Sequence, residues 1–348
     1  MTDDGAPAIE RPATPATVVV EARGLSKTFV LRTPWTDRLL RRAGAPRIHA
    51  VEDVSFTIAR GRTLALVGES GCGKSTLARL MVGLETPTSG TAWVDRMDVE
   101  ATLAGSDAAA ARALRRRVQM IFQDPYASLN PRWRIGDIVA EPLLEQGLIL
   151  RAQAPARAAA LLDSVGLHGA DLRQYPHQVS GGQRQRISIA RAIATSPDFL
   201  VCDEPTSALD VSVQAQVLNL MADLQRERAL TGLFISHNLV VVRYVADDVG
   251  VMYLGRIVEL APKAELFAAP RHPYTRMLLA AVPDARAARR RELAPVLGEV
   301  PDPLAPPPGC AFHPRCPHAN ERCRVERPAL RPSGEVQVAC HAVEEGRL

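Results

Sequence analysis

Eight consecutive residues, Gly68-Glu69-Ser70-Gly71-Cys72-Gly73-Lys74-Ser75, fit the spacing G-x-x-x-x-G-K-[ST] without a gap. Glycines let a backbone fold tightly around phosphate oxygens with its N–H groups turned inward, and a helix starting at the same spot adds its positive end. Lys74 supplies a point charge for the β- and γ-phosphates of a nucleotide, and Ser75 a hydroxyl for Mg²⁺. Gly68, Ser70, Gly71, Cys72, Gly73 and Thr76 complete the expected cradle, in which Cys72 reads as a small residue rather than a regulatory thiol.

Two carboxylates, Asp203 and Glu204, end the apolar run Phe199-Leu200-Val201-Cys202. A buried strand that delivers carboxylates at its C-terminal end sets them beside a phosphate loop. Asp203 is then expected to hold Mg²⁺, and Glu204 to orient or deprotonate an attacking water. Farther on, Ser180-Gly181-Gly182-Gln183 precedes a helical run to about Ala194, a second anion-binding helix start in the same chain.

Four cysteines, Cys310, Cys316, Cys323 and Cys340, stand in the pattern C-x5-C-x6-C-x16-C in a short Pro-rich tail. Clustered thiolates in a segment too small to build its own core suggest a metal staple. The spacing is not the C-x2-C pair of zinc ribbons. A 4Fe-4S cluster, zinc with His313 or His341, and free structural thiols are the readings it leaves open.

The elements that must carry these groups alternate. Thr63 to Val67 is a short β-rich run, a helical pattern begins at Lys74, and Val118 to Phe122, 199–202 and 232–236 are further apolar strands of the kind a parallel sheet buries. Residues from about 124 to 178 carry helical periodicity at Ile138, Leu143, Leu144, Leu161 and Leu162 with no β-rich run, and read as a helical insert. Runs at 249–254 and 257–260 flank Gly255-Arg256, read as a two-residue hairpin turn. This order predicts an α/β fold with a largely parallel sheet. Residues 1–17 read as disordered, 32–47 as a polar, Arg-rich insertion, and the chain beyond about Pro262 as irregular.

A net charge of +4 over 348 residues, with no basic stripe, argues against nucleic acid as a partner. No stretch is long and apolar enough to cross a bilayer and no secretory leader is visible. The expected location is therefore cytoplasmic, with any membrane role exercised through another protein.

Val179-Ser180-Gly181-Gly182-Gln183 resembles the Leu-Ser-Gly-Gly-Gln signature of ABC ATPases, with Val for the leading Leu. The likeness covers about residues 18–258. It implies a P-loop NTPase core in which Gln123 matches the Q-loop glutamine, a ligand of Mg²⁺ with Ser75 and Asp203. His237 matches the switch histidine, Asp210 the D-loop aspartate, and Phe29 the aromatic that stacks on adenine. It also implies that Ser180, Gly181, Gly182, Gln183 and Asp210 serve ATP held by a second ATPase subunit, two subunits enclosing two ATP molecules head to tail.

Three segments resemble the oligopeptide/dipeptide importer branch: Phe122-Gln123-Asp124-Pro125-Tyr126-Ala127-Ser128-Leu129-Asn130-Pro131-Arg132, Tyr175-Pro176-His177, and His272-Pro273-Tyr274-Thr275 with Val282-Pro283. Gln178 and Asn238 depart from that branch, which carries acidic residues there. The resemblance implies an ATPase domain over 18–262, with its helical subdomain at about 124–178, and an importer-type extension over 263–348. It also implies a related second ATPase, two membrane permeases, an extracytoplasmic peptide-binding protein, a place on the cytoplasmic face of the membrane, and a 4Fe-4S cluster on the four tail cysteines. Nickel, glutathione or another small cargo are within the branch. A soluble ABC ATPase acting on ribosomes or DNA is disfavoured by the single set of motifs, and a catalytically inert partner by the intact Lys74, Asp203, Glu204 and His237.

Overall fold

The computed structural model describes residues 17–31, 46–168, 172–282 and 298–348. The N-terminal segment 1–16, the insertion 32–45 and Pro283 of the third branch segment lie outside the described residues.

Twelve strands are described: β1 (Val18–Val30), β2 (Arg47–Ala59), β3 (Thr63–Val67), β4 (Ser89–Val94), β5 (Met97–Asp98), β6 (Val118–Ile121), β7 (Phe199–Asp203), β8 (Thr231–Ile235), β9 (Asp248–Tyr253), β10 (Arg256–Pro262), β11 (Arg331–Ser333) and β12 (Val336–Val338). Eight of them form one sheet in the order β11-β12-β10-β9-β3-β8-β7-β6. The five strands from β9 to β6 are parallel. The others join antiparallel, and β2-β1-β4-β5 make a separate antiparallel sheet. Parallel order is thus confined to the strands that carry the apolar runs.

Alternation within those runs divides the core in two. Leu64, Leu66, Phe199 and Val201 pack in the cluster that includes β1 and β2, while Ala65, Val67, Leu200 and Cys202 pack in the cluster that includes the helical insert. Both sheet faces are therefore covered, as β-α-β crossovers require. Each fully buried Leu contributes roughly 1.5–3 kcal/mol by leaving water.

The insert is helical as expected: Pro125–Ser128, Ile135–Glu145 and Ala154–Ser164, with no strand among its described residues. Ile135, Ile138, Val139 and Leu143 recur at helical spacing and are buried, with Ala158, Leu162 and Ile187 in the same core.

Two expectations change. The hairpin between β9 and β10 turns at Leu254-Gly255, since Tyr253 pairs with Arg256. Both turn residues have positive φ, 42° and 81°, the backbone of a type I′ turn, so the turn sits one residue earlier than Gly255-Arg256. The chain after Pro262 is also more regular than its composition suggests. It forms the helices Lys263–Ala268 and Pro273–Ala280, and the hairpin β11-β12 that extends the main sheet through β10.

Candidate active site

The parallel strands β6, β7, β8 and β3 lie side by side, and the residues just beyond their C-terminal ends converge. After β3 the chain enters the glycine loop, and helix Lys74–Met81 starts at its end. Gly73, at φ 104°, is where only glycine fits: a Cβ there would stand 2.0 Å from the Ala50 carbonyl oxygen. The buried Lys74 ammonium donates to the carbonyl oxygens of Gly68 (2.8 Å) and Glu69 (3.0 Å) and to Cys72 Sγ (3.5 Å). Cys72 is buried beneath the loop, and burial pushes its thiol pKa up.

Ser75 Oγ donates to Asp203 Oδ1 at 2.9 Å, joining the loop to the end of β7. Burial raises the Asp203 pKa, with the neighbouring Glu204 charge acting in the same direction. At Glu204 the backbone takes φ 45°, a sparsely populated conformation for a non-glycine residue. Its two carboxylate oxygens accept from different partners: Oε2 from Gln123 Nε2 at 3.1 Å, and Oε1 from His237 Nδ1 at 3.1 Å. Gln123 follows β6 and His237 follows β8, so three strand ends meet at one carboxylate.

A pocket of about 370 Å³ lies over the loop, lined by Ser70, Gly71, Gly73, Lys74, Ser75, Thr76, Gln123 and Glu204, and by Ile48, His49, Ala50 and Glu52 of β2. Asp203 reaches it through Ser75. Phe29 is not among the lining residues. It is half-buried on β1 opposite Ile48, with the Lys27 ammonium 5.1 Å from its ring. The β2 wall, and Pro303 and Pro306, which also line the pocket, carry no motif by which sequence alone could mark them.

The second helix start stands apart from this pocket. Ser180 caps helix Gly181–Ile193: its hydroxyl accepts from the Gln183 N–H at 3.3 Å, and the Gln183 side chain accepts from the Ser180 N–H at 2.9 Å. Asp210 caps helix Val211–Arg228 by accepting from the Val213 N–H, a bond that also lowers its pKa. Among the described residues no helix is long and apolar enough to cross a membrane.

In the tail the four cysteines gather. Cys310, Cys316, Cys323 and Cys340 are all free thiols, and every pair among them lies within electrostatic reach. The Cys310 N–H donates to the Cys323 carbonyl at 2.8 Å. Burial pushes the Cys310 thiol up to about 11. Among the described residues, no group of three or more His, Cys, Asp or Glu is arranged to hold a metal ion.

Residues 51–207 match the family model described as ABC transporter, and residues 258–323 the one described as oligopeptide/dipeptide transporter, C-terminal region. The chain is 50% identical over 93% of its length to a probable peptide ABC transporter ATP-binding protein of Sinorhizobium fredii, covering 89% of that protein. It is 49% identical to the dipeptide transport ATP-binding protein DppF of Escherichia coli, over 86% of this chain and 88% of that one. With the oligopeptide transport ATP-binding protein AppF of Bacillus subtilis the identity is 45%, over 93% and 97%. Among solved structures, the ATP-binding cassette MJ0796, a dimer bound to ADP and Pi, matches with a TM-score of 0.60 at 26% identity, over 70% of this chain and 98% of that one.

Proposed function

From the premise that this chain belongs to the ATP-binding proteins of peptide-type ABC transporters, we propose that ATP is hydrolysed at Glu204 to drive peptide import. The observation that carries this is the Glu204 carboxylate, met at 3.1 Å by both Gln123 and His237 and one residue beyond the Asp203–Ser75 pair. Lys74 and the loop N–H groups bind the β- and γ-phosphates. Ser75, Asp203 and Gln123 offer the hard oxygen donors that suit Mg²⁺, which when bound neutralises charge on the phosphates. Glu204 takes a proton from water as the water oxygen bonds to the γ-phosphorus. The bond to the bridging oxygen breaks, and ADP and phosphate leave. His237 orients Glu204 and the γ-phosphate; the adenine-facing role of Phe29 rests on the family resemblance, its nearest link to the pocket being its pairing with the lining residue Ile48.

Ser180, Gly181, Gly182, Gln183 and Asp210 complete the site of a second, related ATPase, head to tail with this one. The dimeric cassette with ADP and Pi is the precedent for such pairing. Two permeases dock on the helical insert from the cytoplasmic face of the membrane, and an extracytoplasmic binding protein selects the peptide.

For the tail, a 4Fe-4S cluster is the reading the thiols support best. What supports it is four free thiols in one short segment, each within electrostatic reach of the other three, although among the described residues no three ligands stand arranged to hold a metal ion. Both His341 nitrogens already meet oxygens, Nε2 the Glu326 carbonyl at 3.0 Å and Nδ1 Glu344 at 3.4 Å, which weakens its case as a zinc ligand.

The test of the hydrolytic assignment is Glu204→Gln in the assembled transporter. It is expected to bind ATP as the wild type does and to lose turnover by at least about 10²-fold, the scale of a lost general base. Turnover at the wild-type rate would remove Glu204 from the role.

A further inference from the structure

The segment His272-Pro273-Tyr274-Thr275 and the cysteine tail enter no step of the chemistry above, yet both reach the phosphate loop at one residue, Glu69. The Glu69 N–H donates to the Tyr274 hydroxyl at 2.9 Å. The Glu69 carboxylate accepts both terminal nitrogens of Arg315, at 2.7 and 2.9 Å. Arg315 is 4% exposed and stands next to Cys316 in the turn His313–Arg315. Its guanidinium lies 5.8 Å from the Phe312 ring centre and 5.9 Å from that of Tyr253. Glu69 in turn offers its carbonyl to the Lys74 ammonium. A continuous chain of contacts therefore runs from the tail, through Glu69, to the lysine that meets the phosphates. Pro303 and Pro306, from the same extension, line the pocket itself.

A carboxylate inside an anion-binding loop works against that loop unless its charge is cancelled. A bidentate guanidinium cancels it and fixes its direction as well. We propose that Arg315 is a positioning residue for ATP binding: by pairing with Glu69 it neutralises the one acid in the phosphate loop and holds the loop in its phosphate-binding shape. The C-terminal extension is then a working part of the nucleotide site. This rests on the reading of the Lys74 loop as that site.

A staple that merely fastens the tail to the core would use the same contacts, and nucleotide affinity separates the two roles. The measurement is the Kd of a fluorescent ATP analogue with Mg²⁺ for the full chain, beside its melting temperature. Lys74→Ala tests the underlying reading: binding that survives it puts the nucleotide elsewhere and overturns both claims. With Lys74-dependent binding in hand, Arg315→Met is expected to raise Kd about tenfold. The double variant Glu69→Gln with Arg315→Met is expected to recover much of that loss, because the unpaired acid is gone. Arg324→Met, on the exposed face of the tail, leaves Kd unchanged. In the assembled transporter the KM for ATP rises with Kd, while kcat at saturating ATP changes far less. A lower melting temperature with wild-type Kd in Arg315→Met means a staple only and overturns the proposal. Should that variant not fold, Arg315→Lys carries the test: it keeps the charge but loses the fork, and wild-type Kd there refutes the positioning role.

Discussion

Glu204 shows how much one side chain's placement depends on strands far apart in sequence. Gln123 and His237 stand 81 positions before it and 33 after it, and each meets a different carboxylate oxygen. They were legible through the family resemblance, which matched them by type and order to the Q-loop glutamine and the switch histidine. His272 was legible only as a branch marker, and the structure gives it work. Its Nδ1 accepts the Tyr274 backbone N–H at 3.1 Å, the His272 backbone N–H donates to the buried Glu259 carboxylate at 2.9 Å, and the ring is almost wholly buried. Burial holds its pKa down at about 3. The folded chain thus keeps His272 neutral where the unfolded chain protonates it, so below the unfolded value the unfolded state binds one proton more. Stability from this residue is present at neutral pH and declines as pH falls from about 6.5 toward 3, by at most about 1.4 kcal/mol per pH unit. Urea titrations of wild type and His272→Asn, which keeps a capping acceptor, are expected to differ in slope across that window. Equal slopes would mean that His272 charges freely in the fold.

At the scale of elements, the two capped helices Gly181–Ile193 and Val211–Arg228 meet where Gly182 faces Val213, and a Cβ on Gly182 would stand 2.4 Å from Val213 Cγ1. Val213 is β-branched and cannot swing its methyl clear. Gly182→Ala is expected to lower stability by about 1–3 kcal/mol through overpacking. Gly182→Ala combined with Val213→Ala is expected to recover most of that loss in a thermal melt. Recovery separates packing from any direct part of Gly182 in the partner's ATP site, since only the packing loss responds to Val213. The sequence marked the first of these helix starts, because the Ser180 cap is a local signal, but not the second, where Asp210 is matched only to the D-loop. It did not mark β11 and β12, three residues each, which take strand form by pairing with each other and, through β12, with β10. The displaced hairpin turn has a similar cause. Glycine alone suggested the turn, whereas the register across β9 and β10 decided which residues sit in it, and Leu254 takes the left-handed position.

Across the whole molecule, the extension and the ATPase core are tied at several points. β12 pairs with β10, Arg327 and Arg256 both meet Glu52, and Arg315 meets Glu69 across 246 positions of sequence. Such long-range pairs leave no local pattern, so the sequence revealed the cysteine tail as a unit but not its attachment to the nucleotide site. What holds the tail's own shape is the remaining question of this scale. Cys323 and Cys340 belong to segments with few apolar residues: the small cluster around Cys340 contains only Val338 and Ala342 among buried neighbours. Phe312 and Val336 add burial in the main core, and a multi-thiolate cluster would hold the segment around Cys323 and Cys340 further. Protein purified without oxygen is therefore expected to contain iron and acid-labile sulfide at about four each per chain, with a broad visible absorption and little zinc. Cys316→Ser is expected to lose iron and to make the tail susceptible to proteolysis while the ATPase core remains folded. Stoichiometric zinc without iron would overturn the iron–sulfur reading in favour of a mononuclear site. A metal-free tail that resists proteolysis as well as the wild type would show that the ties to the core, Arg315 foremost, are sufficient to hold it.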